Sequence, residues 1–160
     1  MTLRQSGNTH PLMKKLLIAN RGEIAIRIIH SAAELGLKTA VVYSQDDARS
    51  LHTRKADEAH ALSGRGVAAY LDQEELVALA LQTGCDAVHP GYGFLSENAG
   101  FARRCVEAGL TFVGPDPETL DLFGDKSRAR ALAAEAGVPV LAGTDHATSL
   151  EEARAFLESL

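Results

Sequence analysis

The amino-acid sequence predicts an α/β fold around an open, largely parallel sheet, and three observations carry that prediction. First, four helical patterns end in glycine and run straight into a short apolar segment, at Gly36, Gly84, Gly109 and Gly137. Glycine just past a helix end adopts the left-handed conformation that closes the last turn, so each junction reads as a helix stop and a strand start. Second, Lys14 to Ala19 is an apolar run of the buried-strand type that leads directly into a helical pattern. Third, residues that cap helices stand where the other helices must begin. Strands alternating with helices in this way build βαβ units.

In chain order, the strand at Lys14 to Ala19 is followed by a helix over Glu23 to Leu35, with Ile24, Ile28, Ala32 and Leu35 on one stripe. Thr39 to Tyr43 is the second strand. Gln45 to Lys55 is a polar connector in which His52, Arg54 and Lys55 are expected in solvent, and a strand around Glu58 to Leu62 follows. Asp72 with Glu75 forms a capping box, as does Ser149 with Glu152. Asp86 to His89 is a strand. Asn98 caps a helix that buries Phe101 and Cys105, and Thr111 to Val113 is the next strand. Pro115-Asp116-Pro117 marks the end of the first unit and the start of a connector. Asp125 caps a helix carrying Ala129, Leu132 and Ala136, and Val138 to Leu141 reads as a strand. The expected organisation is a disordered lead-in over residues 1–12, a domain over residues 13–117, and residues 118–160, which stop in a helix at Leu160 as a fragment would.

Composition narrows the function classes. With 46% hydrophobic and 23% charged residues, the chain is an ordinary globular sequence. Its net charge of −5 and the lack of a basic stripe interleaved with aromatics argue against nucleic acid as a partner. No apolar run approaches the roughly 20 residues of a membrane span, and the first twelve residues lack the apolar core of a secretory signal. Cys85 and Cys105 have no metal-ligand spacing and read as two buried thiols in a reducing, cytoplasmic protein. His10, His30, His52, His60 and His146 are scattered, with no metal-binding pattern among them.

Three segments could carry chemistry. Ala19 to Ala25 is a strand end, a glycine turn and a helix start, the place where ligand crevices form in open α/β sheets. Only Gly22 is present, so the dinucleotide fingerprint is missing and a nicotinamide-dependent oxidoreductase loses its main support; Arg21 and Glu23 read locally as an ion pair tying the turn. The segment His89 to Asn98 again follows a strand and precedes a helix. Its two glycines let the backbone approach a ligand closely while Tyr92 and Glu97 are presented; His89 reads as hydrogen-bonded and structural, and Phe94 and Leu95 as anchors. In Gly124-Asp125-Lys126, a lysine opens a helix. That is unfavourable for the helix dipole unless an anion such as phosphate sits there against the free N–H groups.

Taken together, Lys15 to Arg27, Lys55 to Glu58, Ala87 to Asn98, Phe112 to Pro115, Gly124 to Lys126, Ala136 to Pro139 and Gly143-Thr144 resemble one family, the biotin carboxylase component of biotin-dependent carboxylases. The resemblance implies a Rossmann-like domain without the dinucleotide fingerprint, leading into the start of an ATP-grasp domain over residues 118–160. It implies a ligase that carboxylates biotin on a carrier protein, using ATP, bicarbonate and Mg2+ or Mn2+, with bicarbonate activated as carboxyphosphate. On that pattern Lys126 contacts ATP, Tyr92 and Gly93 line the biotin side of the cleft, and Arg21, Gly22 and Glu23 are architectural. The metal ligands and the residues of the bicarbonate site have no counterpart here, so the chain alone is expected to be inactive. Partners implied are the biotin carboxyl carrier protein or domain, a carboxyltransferase, and a second copy meeting the first helix through Arg27, His30 and Glu34. His30 stands where many relatives have arginine. The final acceptor is expected to be acetyl-CoA, propionyl-CoA or another acyl-CoA, as in fatty acid biosynthesis, with pyruvate or urea as alternatives. A non-catalytic dimerisation module and another ATP-grasp ligase are the competing classes.

Overall fold

A computed structural model of the chain describes residues 13–141, 143 and 148–158. The expected lead-in, and with it His10, Thr144, His146 and Leu160, lies outside the described residues. Five parallel strands, β1 (Lys15–Ile18), β2 (Lys38–Tyr43), β3 (Glu58–Ala61), β4 (Ala87–His89) and β5 (Thr111–Phe112), form one sheet in the order β3-β2-β1-β4-β5. The Rossmann-like parallel sheet expected above is therefore present. Lys15 pairs with Lys38 on one side of β1, and Leu16 with Ala87 on the other, which fixes the register.

Side chains alternate across the sheet, as a period of two requires. Leu16, Ile18, Val41 and Ala87 point to the face covered by α1 (Gly22–Glu34), whose Ala25, Ile28, Ile29 and Ala32 are buried there. Leu17, Ala19, Ala40, Val42 and Val88 point to the opposite face. That face is covered by α2 (Gly66–Ala69), α3 (Gln73–Gln82) and α4 (Ala99–Glu107), through Ala69, Leu76, Ala80, Phe101 and Cys105. Burying a side chain such as Leu17 or Leu76 completely contributes about 1.5–3 kcal/mol, so this double layer is the chief source of stability.

All four glycine junctions close as expected. Leu37, Cys85, Leu110 and Val138 donate their N–H groups back to the carbonyls of Ala32, Ala80, Cys105 and Ala133, and the glycine before each donates to the next carbonyl along, that of Ala33, Leu81, Val106 or Ala134. These paired bonds satisfy helix-end carbonyls that would otherwise lack partners. The caps also form: Asp72, Asn98 and Asp125 accept from backbone N–H groups of their helices. Ser149 and Glu152 exchange bonds at the start of α7 (Leu150–Glu158).

Three expectations need correction. On α1 the buried stripe is shifted from the expected one: Leu35 occupies the C-cap, past the last residue facing the sheet, and is 76% exposed. Val138 to Leu141 forms no strand, because no described strand lies beside it to supply hydrogen bonds; Arg130 Nη2 instead donates to the Leu141 carbonyl at 2.7 Å. The segment after Pro115 leads straight into a helix, which agrees with the helices expected past residue 117. Pro117 takes the first position of α5 (Pro117–Gly124), where its missing N–H costs nothing. His52 is not in solvent: a 3₁₀ turn at Leu51–Arg54 carries it fully inside, with Nε2 3.2 Å from the Val42 carbonyl.

Candidate functional site

The chain leaves β1 for α1 on one face of the sheet and leaves β4 for α4 on the other. At the carboxyl ends of these adjacent strands the two connections diverge, and a crevice opens between them. A cavity of about 440 Å³ lies there, between the Asn20–Ile24 turn and the Tyr92–Phe94 loop, with Asp47 at its edge. The two glycine-bearing segments singled out in the sequence, 70 residues apart, thus face each other.

Asn20 joins the two segments. Its side chain is buried, and Nδ2 donates to the carbonyls of Pro90 at 2.6 Å and Tyr92 at 2.9 Å, while Oδ1 accepts from the Arg21 N–H at 2.9 Å. Gly91 is needed at this contact: its φ is +69°, and a Cβ there would lie 2.6 Å from Asn20 Nδ2. The Gly91 N–H donates to His89 Nδ1 at 3.0 Å, which fixes the imidazole with its proton on Nε2. Burial pushes the His89 pKa down and keeps that neutral form.

The other end of the loop is held by packing. Phe94 has φ +42°, a backbone state uncommon for a residue with a side chain, and its ring stacks on Tyr70 at 5.1 Å with the planes 5° apart. Between Gly91 and Phe94, Tyr92 is 65% exposed, and the Cα of Gly93 has open space on its side-chain side. A planar ligand can therefore approach the loop without meeting a side chain at residue 93.

Arg21 and Glu23 do not pair with each other. Arg21 reaches across to Asp47 at 3.0 Å with its guanidinium over the Tyr70 ring, whereas Glu23 pairs along α1 with Arg27 at 3.6 Å. Two residues apart at a helix start, the side chains of 21 and 23 diverge, and Asp47 offers the arginine a fixed, half-buried acceptor. Asp47 also accepts from Tyr70 Oη at 2.8 Å and Ser50 Oγ at 3.1 Å. Burial would raise its carboxyl, but the bonds from Tyr70, Arg21 and Ser50 outweigh it and hold the group below its ordinary range. Burial above all pushes the Tyr70 hydroxyl up to about 12; the bond from the Ser44 N–H opposes the rise, and the neighbouring Asp47 carboxylate adds to it. Asn20, Asp47 and Tyr70 escaped sequence reasoning. Asn20 could have been found as a polar residue closing an apolar strand, but nothing local marks Asp47 or Tyr70, which arrive from other elements.

Lys126 is the first residue of α6 (Lys126–Glu135), exposed, with no ion pair or hydrogen bond from its side chain among the described residues. It does not line the cavity between Asn20 and Phe94. The Asp125 carboxylate occupies the helix start, accepting from the N–H groups of Ser127 at 2.9 Å and Arg128 at 3.1 Å. The two expectations for this turn, a capping aspartate and a phosphate on free N–H groups, compete, and the cap takes the donors of Ser127 and Arg128. The lysine ammonium remains for an anion. Arg27, His30 and Glu34 are exposed together on the solvent side of α1. A second, mainly apolar cleft of about 480 Å³, lined on α1 by Arg27 but not by His30 or Glu34, reaches Gly91 and Tyr92. No cluster of three or more His, Cys, Asp or Glu that could hold a metal occurs among the described residues. No described helix is long and apolar enough to cross a membrane.

The crevice falls in a stretch with known relatives. Residues 12–120 match the family described as biotin carboxylase, N-terminal domain. Pyruvate carboxylase of Staphylococcus aureus is 54% identical over 149 residues, which cover 91% of this chain and 13% of the relative. The mouse mitochondrial pyruvate carboxylase is 53% identical over 148 residues, covering 90% of this chain and 12% of the relative. Among solved structures, the biotin carboxylase domain of a single-chain bacterial carboxylase is 62% identical with a TM-score of 0.87, covering 91% of this chain and 34% of that one. The biotin carboxylase domain of the Hydrogenobacter thermophilus 2-oxoglutarate carboxylase, solved with MgADP, ADP and bicarbonate, has a TM-score of 0.90 at 43% identity, covering 94% of this chain and 33% of that one. The chain thus spans about one-eighth of the length of the curated relatives it matches and a third of these solved domains. The sheet, both sides of the crevice and the loop that Asn20 holds all lie inside the matched residues, and the chain belongs to the biotin carboxylase N-terminal domain family.

Proposed function

We propose that this chain is the amino-terminal portion of an ATP- and bicarbonate-dependent ligase that carboxylates biotin on a carrier protein. The observation that carries the reading is the Tyr92–Phe94 loop, held open against the Arg21 turn at the strand ends. Tyr92 and Gly93 then form the biotin side of the cleft: an exposed ring and an unobstructed backbone suit a flat ureido ring. Lys126 contacts an ATP phosphate through its free ammonium. The nucleotide and Mg2+ or Mn2+ supply phosphoryl transfer when bound, and their remaining ligands come from other parts of the longer enzyme. Residues 13–117 make up the Rossmann-like domain, and residues 118–160 the connector and first helices of an ATP-grasp domain. The absence of buried residues in α5, α6 and α7 supports that division.

The partners are a biotin carboxyl carrier and a carboxyltransferase, with a second copy meeting α1 at Arg27, His30 and Glu34. We take the protein to act in the cytoplasm, in keeping with two free, buried thiols. The acceptor after biotin is an acyl-CoA in the first reading, which rests on 55% identity to a single-chain, multi-domain long-chain acyl-CoA carboxylase. Pyruvate is the second reading, carried by the pyruvate carboxylases of similar identity.

The test is biotin- and bicarbonate-dependent ATP hydrolysis, measured on the chain alone and on the chain joined to the rest of a biotin carboxylase domain. Turnover is expected only in the joined form, and Lys126→Ala there raises the KM for ATP by about threefold or more, as loss of one phosphate contact requires. Turnover by the chain alone would mean that its own residues complete the ATP site. No biotin-dependent turnover in the folded joined form retires the reading.

A further inference from the structure

We infer that Asn20 is the positioning residue for the biotin side of the cleft, fixing the Tyr92 carbonyl and with it the path of the chain into Gly93. The inference rests on the assignment of Tyr92 and Gly93 proposed above. Asn20 is 3% exposed and makes three bonds, all to backbone: both amide donors go to Pro90 and Tyr92, and Oδ1 accepts from Arg21. Among the described residues, the bond from Asn20 is the only hydrogen bond that residue 92 makes, and the Tyr92 ring packs on no other ring. The loop tip is thus tied at one point from below, while His89 and Phe94 secure its two ends.

Only an amide side chain of this length meets the demand. Aspartate has the same shape but no donor when ionised, and it would set a carboxylate oxygen against two carbonyl oxygens. Glutamine adds a methylene where the Gly91 backbone already lies against the amide, as the 2.6 Å approach to a Cβ at residue 91 shows. The third bond, to the Arg21 N–H, ties the opposite wall of the cavity to the same side chain, so one residue sets the separation of the two walls. Asn20 touches no reacting atom. It acts through the carbonyl it holds.

The test is steady-state carboxylation of free biotin by the chain joined to the rest of a biotin carboxylase domain, with biotin and ATP varied separately. Asn20→Asp is expected to raise the KM for biotin about tenfold, what loss of one good buried hydrogen bond amounts to, with the KM for ATP unchanged. Asn20→Ser keeps an acceptor for the Arg21 N–H but is too short to reach the Tyr92 carbonyl. It should give the same split, and it serves if the aspartate variant does not fold. A fall in kcat with both KM values unchanged, as from a smaller active fraction, overturns positioning and leaves a structural role. Tyr92→Ala in the same assay separates the two layers of the argument. If it leaves biotin kinetics untouched, the loop does not face biotin and the underlying assignment fails. If it raises the KM for biotin while both Asn20 variants behave as wild type, the positioning role alone is refuted.

Discussion

Helices α1 and α6 end in the same way, yet only one of them is buried. Each closes on a glycine with positive φ and the same pair of backward hydrogen bonds, at Gly36 and at Gly137. Along α1, Ala25, Ile28, Ile29 and Ala32 disappear against the sheet; along α5, α6 and α7 no described residue is buried. Leu132 is 37% exposed and Leu150 70%. Capping is a local transaction between neighbours in sequence, while burial needs a partner surface from elsewhere in the fold. The two regions show that a well-capped helix carries little information about whether it belongs to a core.

Large-to-small substitution should separate the regions most sharply. Tyr70→Ala empties a fully buried ring site and removes the stack under Phe94, at an expected cost of about 3–5 kcal/mol in denaturant unfolding. Leu132→Ala should cost less than about 0.5 kcal/mol, as exposed positions do. Similar losses at the two sites would mean that α6 is packed in solution.

Removing caps sharpens the contrast. Asp72→Ala and Asp125→Ala each delete a capping carboxylate worth about 0.5–2 kcal/mol. The loss of Asp72 should lower the midpoint of global unfolding, because α3 contributes Leu76 and Ala80 to the core. The loss of Asp125 should fray α6 alone, seen as faster amide exchange at Ser127 and Arg128 with the global midpoint unmoved. A shifted global midpoint for Asp125→Ala would join the regions into one cooperative unit.

The smallest expected effect is on pH dependence. Burial pushes the pKa of both His52 and His89 below the ordinary 6.5, so the unfolded chain takes up protons that the folded sheet region refuses. Stability is therefore full above about pH 6.5 and falls as the pH drops below it. His52→Leu should flatten the slope of melting temperature against pH between 7 and 5, leaving the share that belongs to His89. An unchanged slope would exclude His52 as a source.

What could be read from the sequence follows the same division between local and non-local. The five strands of the sheet, the four glycine closures and the caps at Asp72, Asn98, Asp125 and Ser149 are each written within six or so residues, and each formed. The loop from His89 to Asn98 stood out by its residues alone. The errors lie where the deciding partner is remote. His52 looked polar among polar neighbours, but the fold brings the Val42 carbonyl within reach of it. Val138 to Leu141 has strand-like residues and no described strand to pair with. Arg21 had Glu23 close in sequence, but Asp47 was better placed in space. At the candidate site, Tyr92 and Gly93 were visible, while the supports from Asn20, Asp47 and Tyr70 depend on chain crossings that no local pattern records.

The order of the strands has a consequence for how the molecule meets its own kind. Among the described residues, the borders of the sheet are β3, four residues long, and β5, only two. On β3, Glu58 binds Lys15 Nζ at 2.6 Å and His60 stands beside it, so the border carries charge as well as being short. Short and charged borders give an extra strand from another chain little to zip against. The apolar stretches Leu16 to Ile18 and Ala40 to Val42 are held on interior strands, each paired on both sides and so shielded from such pairing. The arrangement guards against runaway aggregation at the sheet edges while leaving the crevice at the strand ends open to ligands.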